Sequence, residues 1–217
     1  MANKTIIYCL PGKEFSGEFL ECWSNTISDT FKNGLNFAVS RQYSAVVYYA
    51  RNLCLGADVL RGRQQKPFNG SIKYDYLMWI DSDMIWDPSQ MFKLMSHNVD
   101  IVGGIYKMQD EIHYATVKDW NENYFKQNGT FQFMTDNNLG TTLTEVTYNG
   151  FGFMLIKYGV FESMEYPWFR PIYYDLGNNI YDFTAEDVGF CRMAKDAGFK
   201  IYIDPTVIVK HQKLKII

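Results

Sequence analysis

A chain of 217 residues, 47% hydrophobic and 21% charged, has the composition of a globular protein long enough to bury one good core. Its formal net charge of -3 lacks the basic footprint that a phosphate backbone requires, which argues against nucleic acid as a partner. No run approaches the roughly 18 apolar residues of a membrane span, and the N-terminus shows no signal-peptide pattern. We therefore expect a cytoplasmic protein.

Two further features bear on compartment and organisation. The four cysteines, Cys9, Cys22, Cys54 and Cys191, lie far apart without a CxxC pair, which is typical of reduced core thiols. No proline-rich or low-complexity linker divides the chain, so we expect one domain. The apolar C-terminus, ending at Ile217 without a polar cap, suggests the first module of a longer polypeptide.

The first half of the chain alternates strand and helix patterns. Apolar spacing and Gly or Pro breaks predict strand 5–10, helix 16–32, strand 35–40, helix 44–60 and strand 74–80. The last of these strands is nearly all apolar, as expected of a strand covered on both faces by helices in a largely parallel sheet. A capping box at Asp87, with Pro88 at the first helical position, then opens another helix, and 100–106 is a further strand.

The second half is less regular. Segment 107–144 is polar and Asn-rich and predicts an insertion with short antiparallel pieces. Segment 166–183 carries prolines and aromatics that predict a loop over a cleft. Its aromatic rings could stack on sugars, although most aromatics in a domain belong to the core; the rings are Trp168, Phe169, Tyr173 and Tyr174. A helix over 184–197 follows, then strands 200–203 and 206–209 on either side of Asp204-Pro205.

The most informative segment, Tyr74–Trp86, reads YDYLMWIDSDMIW. Its triplet Asp81-Ser82-Asp83 places two carboxylates one residue apart after a buried strand, which suits a divalent cation that carries phosphates. Ligands of open α/β sheets bind outside the carboxyl ends of strands, so position and chemistry agree. An isolated acidic pair is more often a solvated turn or a helix cap, and here the apolar strand, Trp86 and the distant His211 favour a site.

Three features follow one another in a recognisable order: Asp81-Ser82-Asp83, the segment 150–156 with its glycines, and Glu186-Asp187 at a helix start before a final strand and His211. In this order the chain resembles the GT-A fold glycosyltransferases, the superfamily with the DxD motif, and more narrowly its inverting members. It is also similar to the small glycosyltransferases with which large algal viruses decorate their capsid protein, which would place it in a host cytoplasm.

The resemblance covers 5–211 apart from 107–144. It implies one GT-A-like α/β domain over 1–217, with a mostly parallel, Rossmann-like twisted sheet flanked by helices and a smaller antiparallel part near the acceptor side. The nucleotide-sugar half would be about 1–106, and the acceptor and catalytic half about 107–217.

The resemblance also assigns a metal, Mn²⁺ or Mg²⁺, to Asp81, Asp83 and His211. Asp83 is the stronger ligand in this assignment, and an imidazole donor favours Mn²⁺ over Ca²⁺. Taken alone, His211 beside Lys210 and Lys213 has the pattern of an exposed surface residue.

Nucleotide-sugar contacts are implied for the acidic triplet and for four residues elsewhere: Pro11, Gly12, Arg51 and Gly150. Outside this context a Pro-Gly pair is usually a turn, and a helix arginine is usually solvated.

Asp187 is implied as the general base, and Glu186 as the group that orients acceptor or base. The simpler interpretation is a capping box from Thr184 to Asp187, in which the helix dipole keeps the acids ionised. Both interpretations can hold, because a general base must be ionised to accept a proton.

The function implied is a metal-dependent inverting glycosyltransferase that moves a sugar from a nucleoside diphosphate to a hydroxyl of a glycan or glycoprotein. The expected nucleotide of the donor is UDP. One alternative is a sugar-1-phosphate nucleotidyltransferase, although Pro11-Gly12-Lys13-Glu14 lacks the Gly-rich basic loop of those enzymes. Another is a non-catalytic module that binds nucleotide sugar or glycan, against which the presence of both Asp83 and Asp187 argues.

Overall fold

The computed structural model describes residues 4–213; the apolar C-terminus discussed above lies outside the described residues from position 214 onward. The strands are β1 (Thr5–Pro11), β2 (Asn36–Gln42), β3 (Tyr76–Ile80), β4 (Met84–Ile85), β5 (Ile101–Ile105), β6 (Thr116–Val117), β7 (Thr144–Val146), β8 (Tyr148–Asn149), β9 (Phe153–Lys157), β10 (Tyr173–Asp175), β11 (Tyr181–Phe183), β12 (Ile201–Ile208) and β13 (Lys210–His211). The α-helices are α1 (Gly17–Lys32), α2 (Val47–Cys54), α3 (Pro88–Ser96), α4 (Glu122–Asn128) and α5 (Glu186–Asp196). Short 3-10 turns lie at Val59–Arg61, Pro67–Gly70, Asp136–Asn138 and Phe161–Ser163.

One seven-stranded sheet has the strand order β2-β1-β3-β9-β5-β12-β7. Strands β2, β1, β3, β5 and β12 run in one direction, and β9 and β7 run in the other. Three small two-stranded sheets pair β4 with β13, β6 with β8 and β10 with β11. The predicted α/β class, with a mostly parallel sheet between helices and a smaller antiparallel part, is confirmed.

The sheet separates two hydrophobic cores, because successive side chains of a strand point to opposite faces. In β3, Leu77 and Trp79 face the core that contains Phe190 of α5. Met78 faces the other core, which contains Met91 of α3. All five residues of β3 are buried, as the uninterrupted apolar run predicted. This places the end of β3, where the acidic triplet begins, at the border of a rigid core.

The predicted capping box of α3 is confirmed: Asp87 is the N-cap and Gln90 completes the box. The helix predicted over 44–60 is shorter, because α2 ends at Cys54 and Gly56 adopts a φ of +67°, outside the helical range.

The two strands predicted around Asp204-Pro205 were wrong as separate elements. They form one strand, β12, whose register with β5 shifts between Ile203 and Ile208. The Asp204 carboxylate accepts a hydrogen bond of 2.9 Å from the Thr206 N–H, which fixes the backbone around the proline.

The segment 107–144 contains the short strand β6, which pairs antiparallel with β8 as predicted, and also the helix α4, which was not predicted. All four cysteines are free thiols, three of them buried. No helix within residues 4–213 has both the length and the apolar character needed to cross a membrane.

Candidate active site

The acidic triplet forms the turn between β3 and β4, next to the end of β1. A Cβ atom on Gly12 would lie 2.6 Å from the Ser82 Cβ, so only glycine lets the two backbones approach this closely. The Gly12 N–H donates to the Gln42 carbonyl at 2.9 Å. The predicted nucleotide-side residues Pro11, Gly12 and Ser82 therefore meet at the carboxyl ends of neighbouring strands.

Asp83 and His211 are brought together by the pairing of β4 with β13. The His211 Nε2 lies 2.8 Å from the Asp83 Oδ2, and the Gln212 N–H donates to the Asp83 carbonyl at 2.7 Å. The His211 ring packs edge-on against buried Tyr106, with centroids 5.1 Å apart. Burial opposes ionisation of Asp83, but the hydrogen bond and charge of His211, helped by Lys213, hold the pKa of Asp83 below its ordinary value.

His211 also borders a pocket of about 510 Å³ in which three lysines gather, Lys107, Lys210 and Lys213. Lys213 Nζ lies 2.8 Å from the His211 Nε2, and Lys107 pairs with Asp136. The sequence places Lys210 and Lys213 beside His211, but it does not reveal that Lys107, about a hundred residues away, joins them.

Asp81 has a different partner from Asp83. Its Oδ2 accepts a hydrogen bond of 2.9 Å from the Arg51 Nη2, and the Arg51 Nε donates to the Glu186 Oε1 at 3.1 Å. Arg51 is only 3% exposed and its guanidinium lies within 6.0 Å of three aromatic ring centroids, those of Trp79, Phe151 and Phe169. Arg51 is thus a buried link between the two acids rather than an open nucleotide contact.

The pKa of Arg51 reflects this environment. Burial alone would lower it, but the carboxylates of Asp81 and Glu186 outweigh burial and raise the pKa above its ordinary value. The next residue, Asn52, anchors the same helix: its side chain accepts from the Trp168 N–H at 3.1 Å and donates to the Phe169 carbonyl at 2.8 Å.

Two polar atoms in this cluster are buried without a hydrogen-bond partner in the described part of the chain, Arg51 Nη1 and Asp81 Oδ1. A buried polar atom of a charged group that makes no hydrogen bond destabilises the folded protein, so such atoms require an explanation. An uncoordinated carboxylate oxygen at the end of β3 is suited to a ligand hydroxyl or a cation.

Asp187 lies one residue after Glu186, in the first turn of α5, and is half-buried. The Tyr148 hydroxyl donates to its Oδ2 at 2.9 Å. Burial, and then repulsion from Glu186, raise the pKa of Asp187 to about 6, against the opposing effects of Arg51 and Tyr148. The helix dipole was expected to favour the ionised form of this acid, but the pKa of Asp187 is instead raised above its ordinary value.

The capping box predicted at Thr184 is also wrong. The N-cap is Ala185, which makes no side-chain cap, and Thr184 Oγ1 instead accepts from the Ile172 N–H at 2.9 Å. Thr184 thereby ties the start of α5 to the segment before β10.

Gly150 has a packing role. A Cβ atom there would lie 2.2 Å from the Tyr106 hydroxyl oxygen, and that hydroxyl accepts from the Gly152 N–H at 3.2 Å. The glycines let Tyr106 reach the backbone next to β9. The Tyr106 ring in turn packs against His211. Tyr106 was not identified from the sequence, because a buried tyrosine carries no local pattern.

Of the aromatics proposed for sugar stacking, Trp168 and Phe169 are completely buried, so for these two the core interpretation is right. Tyr174 instead lines a pocket of about 400 Å³ together with Trp120 and Tyr148. This pocket lies beside Asp187, because the hydroxyl of its wall residue Tyr148 donates a hydrogen bond to Asp187.

The fit of a divalent cation depends on Asp83 and His211. Among the described residues, no three His, Cys, Asp or Glu side chains gather in one group that could hold a metal. The predicted ligand Asp81 forms an ion pair with Arg51. Asp83 and His211 supply one oxygen and one nitrogen, a donor pair that suits Mn²⁺. A cation here would take its remaining ligands from water and from phosphate oxygens.

This chain is similar to several solved structures, of which the first two below have TM-scores above 0.5. A197 from STIV is 17% identical over 99% of this chain and 96% of that chain, with a TM-score of 0.52. GalNAc-T7, solved with UDP, GalNAc and Mn²⁺, is 11% identical over 98% of this chain but only 43% of its own, also with a TM-score of 0.52. The catalytic domain of Drosophila β1,4-galactosyltransferase 7 with xylobiose is 12% identical over 99% of this chain and 67% of its own, at 0.46.

No family model and no curated protein matches the sequence. At these identities the similarity concerns the fold alone, and it confirms the GT-A-like architecture. The narrower resemblance, to inverting enzymes and to those of algal viruses, stays a prediction.

Proposed function

We propose that this chain is a metal-dependent inverting glycosyltransferase that moves a sugar from a nucleoside diphosphate to a hydroxyl of a glycan or glycoprotein. The observation that carries the proposal is the Asp83–His211 pair, 2.8 Å apart at the edge of the sheet where β3 ends. The pair lies beside three lysines, at the kind of sheet edge where ligands of open α/β sheets bind.

The donor would lie across this edge. The close-packed residues Pro11, Gly12 and Ser82 would form the floor for the nucleotide, and the unpaired Asp81 Oδ1 would accept from a donor hydroxyl. Lys210 and Lys213 would neutralise part of the diphosphate charge. A cation held by Asp83 and His211 would stabilise the negative charge that develops on the leaving diphosphate.

Asp187 would act as the general base. A pKa of about 6 leaves it mostly ionised at neutral pH and still basic enough to accept the proton of an acceptor hydroxyl. The Tyr148 hydroxyl fixes one carboxylate oxygen, and Glu186 is held by Arg51. Glu186 is therefore a positioning residue that connects the base to the loop carrying Asp81.

A donor screen tests the proposal. Purified protein is incubated with Mn²⁺ and nucleoside diphosphate sugars, with and without a mixture of glycan acceptors, and release of nucleoside diphosphate is measured. UDP-sugars come first, because the neighbour GalNAc-T7 was solved with UDP and Mn²⁺. We expect metal-dependent release that an acceptor increases.

A parallel arm supplies nucleoside triphosphates with sugar 1-phosphates and measures pyrophosphate. Pyrophosphate in this arm, without turnover in the first, would assign the chain to the nucleotidyltransferases. Tight Mn²⁺-dependent UDP binding without turnover in either arm would leave a non-catalytic binding module.

A further inference from the structure

The pocket of about 400 Å³ beside Asp187 is formed by three parts of the chain. Trp120 comes from the irregular insertion just before α4, Tyr174 from the β10–β11 hairpin, and Val188 and Arg192 from α5. Trp120 is far from the other two parts in the chain, whereas the hairpin and α5 follow one another. The volume is in the range of small-molecule sites.

The pocket wall combines rings with an apolar floor. Trp120 and Tyr174 have ring centroids 6.0 Å apart, and Phe131 stacks on Tyr148 at 6.2 Å with planes 24° apart. Val117 and Leu176 contribute buried aliphatic surface. A saccharide suits such a wall, because the C–H groups on one face of its ring carry partial positive charge toward the negative face of an aromatic ring.

The pocket rim carries side chains of both charges. Glu122, Asp182 and Asp196 are acceptors, and Arg192 and Lys195 are donors. The Arg192 guanidinium lies 4.5 Å above the Tyr174 ring centroid, which holds that ring in place. A rim with both signs, in which acids outnumber bases, offers hydrogen bonds to hydroxyls and does not attract anions, so it favours neutral sugars over sulfated, phosphorylated or uronic ones.

From this arrangement we infer that the pocket is a saccharide subsite, in which a neutral sugar unit of the acceptor packs against Trp120 and Tyr174 next to the proposed base. The acceptor role of this sugar rests on the proposed function, whereas saccharide binding in the pocket does not depend on turnover. The Tyr148 ring forms the wall between subsite and base: its hydroxyl donates to Asp187 at 2.9 Å.

An array of immobilised neutral, sulfated and sialylated glycans, probed with the labelled protein without donor or metal, identifies the ligand class. Saturation-transfer NMR then measures affinity for the free glycan that binds best. We expect binding of neutral glycans, and a loss of about tenfold or more for Trp120→Ala and for Tyr174→Ala, with Trp120→Phe retaining most of the affinity.

Tyr173→Ala is the matched control. Tyr173 is on the same hairpin, but it is 56% exposed, stacks on Tyr181 with centroids 5.8 Å apart and does not line the pocket. Its affinity for the glycan should equal that of the unmodified protein. Mn²⁺-dependent UDP binding, measured on every variant, shows that the fold and the donor side are intact.

The outcomes separate the two proposals. No glycan bound, binding of anionic glycans only, or equal losses for Trp120→Ala and Tyr173→Ala would overturn the subsite, whether or not the donor screen shows turnover. Glycan binding that depends on Trp120, in a protein without turnover of any donor, would support the subsite and reject the proposed transferase.

Discussion

Arg51 Nε donates to Glu186 Oε1 across 3.1 Å, a bond between residues 135 positions apart in the chain. The same guanidinium donates to Asp81 at 2.9 Å. One buried cation therefore joins the loop after β3, on the proposed donor side, to the first turn of α5, which carries the proposed base. The two halves of the site are connected by charge as well as by packing.

Arg51→Ala should destabilise the fold strongly. Removing one partner of a buried ion pair leaves the other charge without compensation, and here two carboxylates would lose their partner. We expect the free energy of unfolding, measured by urea denaturation, to fall by about 3–5 kcal/mol. Arg63→Ala is the control, since Arg63 pairs with Glu165 at the surface with a side chain 72% exposed, and its loss should change stability by less than about 1 kcal/mol. Similar losses in the two variants would show that the Arg51 link contributes no more than a surface pair.

His211→Ala should weaken Mn²⁺-dependent UDP binding by more than about tenfold, because even residues behind the ligands of a metal site contribute that much. Isothermal titration calorimetry with UDP, at fixed Mn²⁺ and without metal, measures the effect.

The chain offers a matched control in His97, whose Nε2 also lies 2.8 Å from an aspartate oxygen, that of Asp204. The His97–Asp204 pair has the same chemistry and distance as His211–Asp83 but lies between α3 and β12. His97→Ala should leave the metal-dependent affinity unchanged. Equal effects of the two substitutions would remove His211 from the metal site.

Much of the fold was readable from the sequence, and the reason is local. The uninterrupted burial of β3 and the capping box at Asp87 are encoded by residues that lie side by side in the chain. Similarly, Asp83 and His211 were found because a motif order linked them. The end of α2 was misplaced because the left-handed φ of Gly56 looks from sequence like any glycine tolerated near a helix end.

The residues that were missed act only through tertiary contacts. Trp120 and Tyr148 acquire their places in the pocket and beside Asp187 from segments brought together by the sheet. The raised pKa of Asp187 also depends on burial and on Glu186, neither of which a helix-start pattern reveals. No local pattern distinguishes Trp168 and Phe169 from cleft aromatics, because their backbone is held by Asn52, which is distant in the chain.

Tyr148→Phe should move the acid limb of the pH–rate profile to higher pH. The Tyr148 hydroxyl stabilises the ionised form of Asp187 and lowers its pKa, so its removal lets the pKa rise above about 6. The profile of kcat/KM, which reports groups of the free enzyme, is recorded from pH 5 upward.

Tyr74→Phe removes the same kind of bond elsewhere, because Tyr74 donates to the Glu162 carboxylate at 2.6 Å. It should lower stability by about 1 kcal/mol and leave the acid limb in place. An unchanged limb in Tyr148→Phe would indicate that Asp187 does not control the profile.

The pH dependence of folding gives a second measure of Asp187. A folded-state pKa raised from 3.8 to about 6 contributes stability that is fully present below pH 3.8 and is lost as pH rises through about 6. Subtracting the unfolding free energies of Asp187→Asn from those of the unmodified protein should leave a difference that decreases across this window. A flat difference would mean that the carboxyl is not perturbed in the folded protein.

Asp187→Asn should lower turnover by roughly 100-fold or more with donor affinity nearly unchanged, because an amide keeps the shape of the base but cannot accept the proton. Asp87→Asn is the control for a purely structural role: Asp87 caps α3, asparagine caps equally well, and turnover should be retained. The anomeric configuration of the product of the unmodified enzyme, followed by NMR from the first turnovers, should be opposite to that of the donor. Turnover close to that of the unmodified protein in Asp187→Asn, or a product that keeps the donor's configuration, would leave Asp187 a structural residue of the first turn of α5.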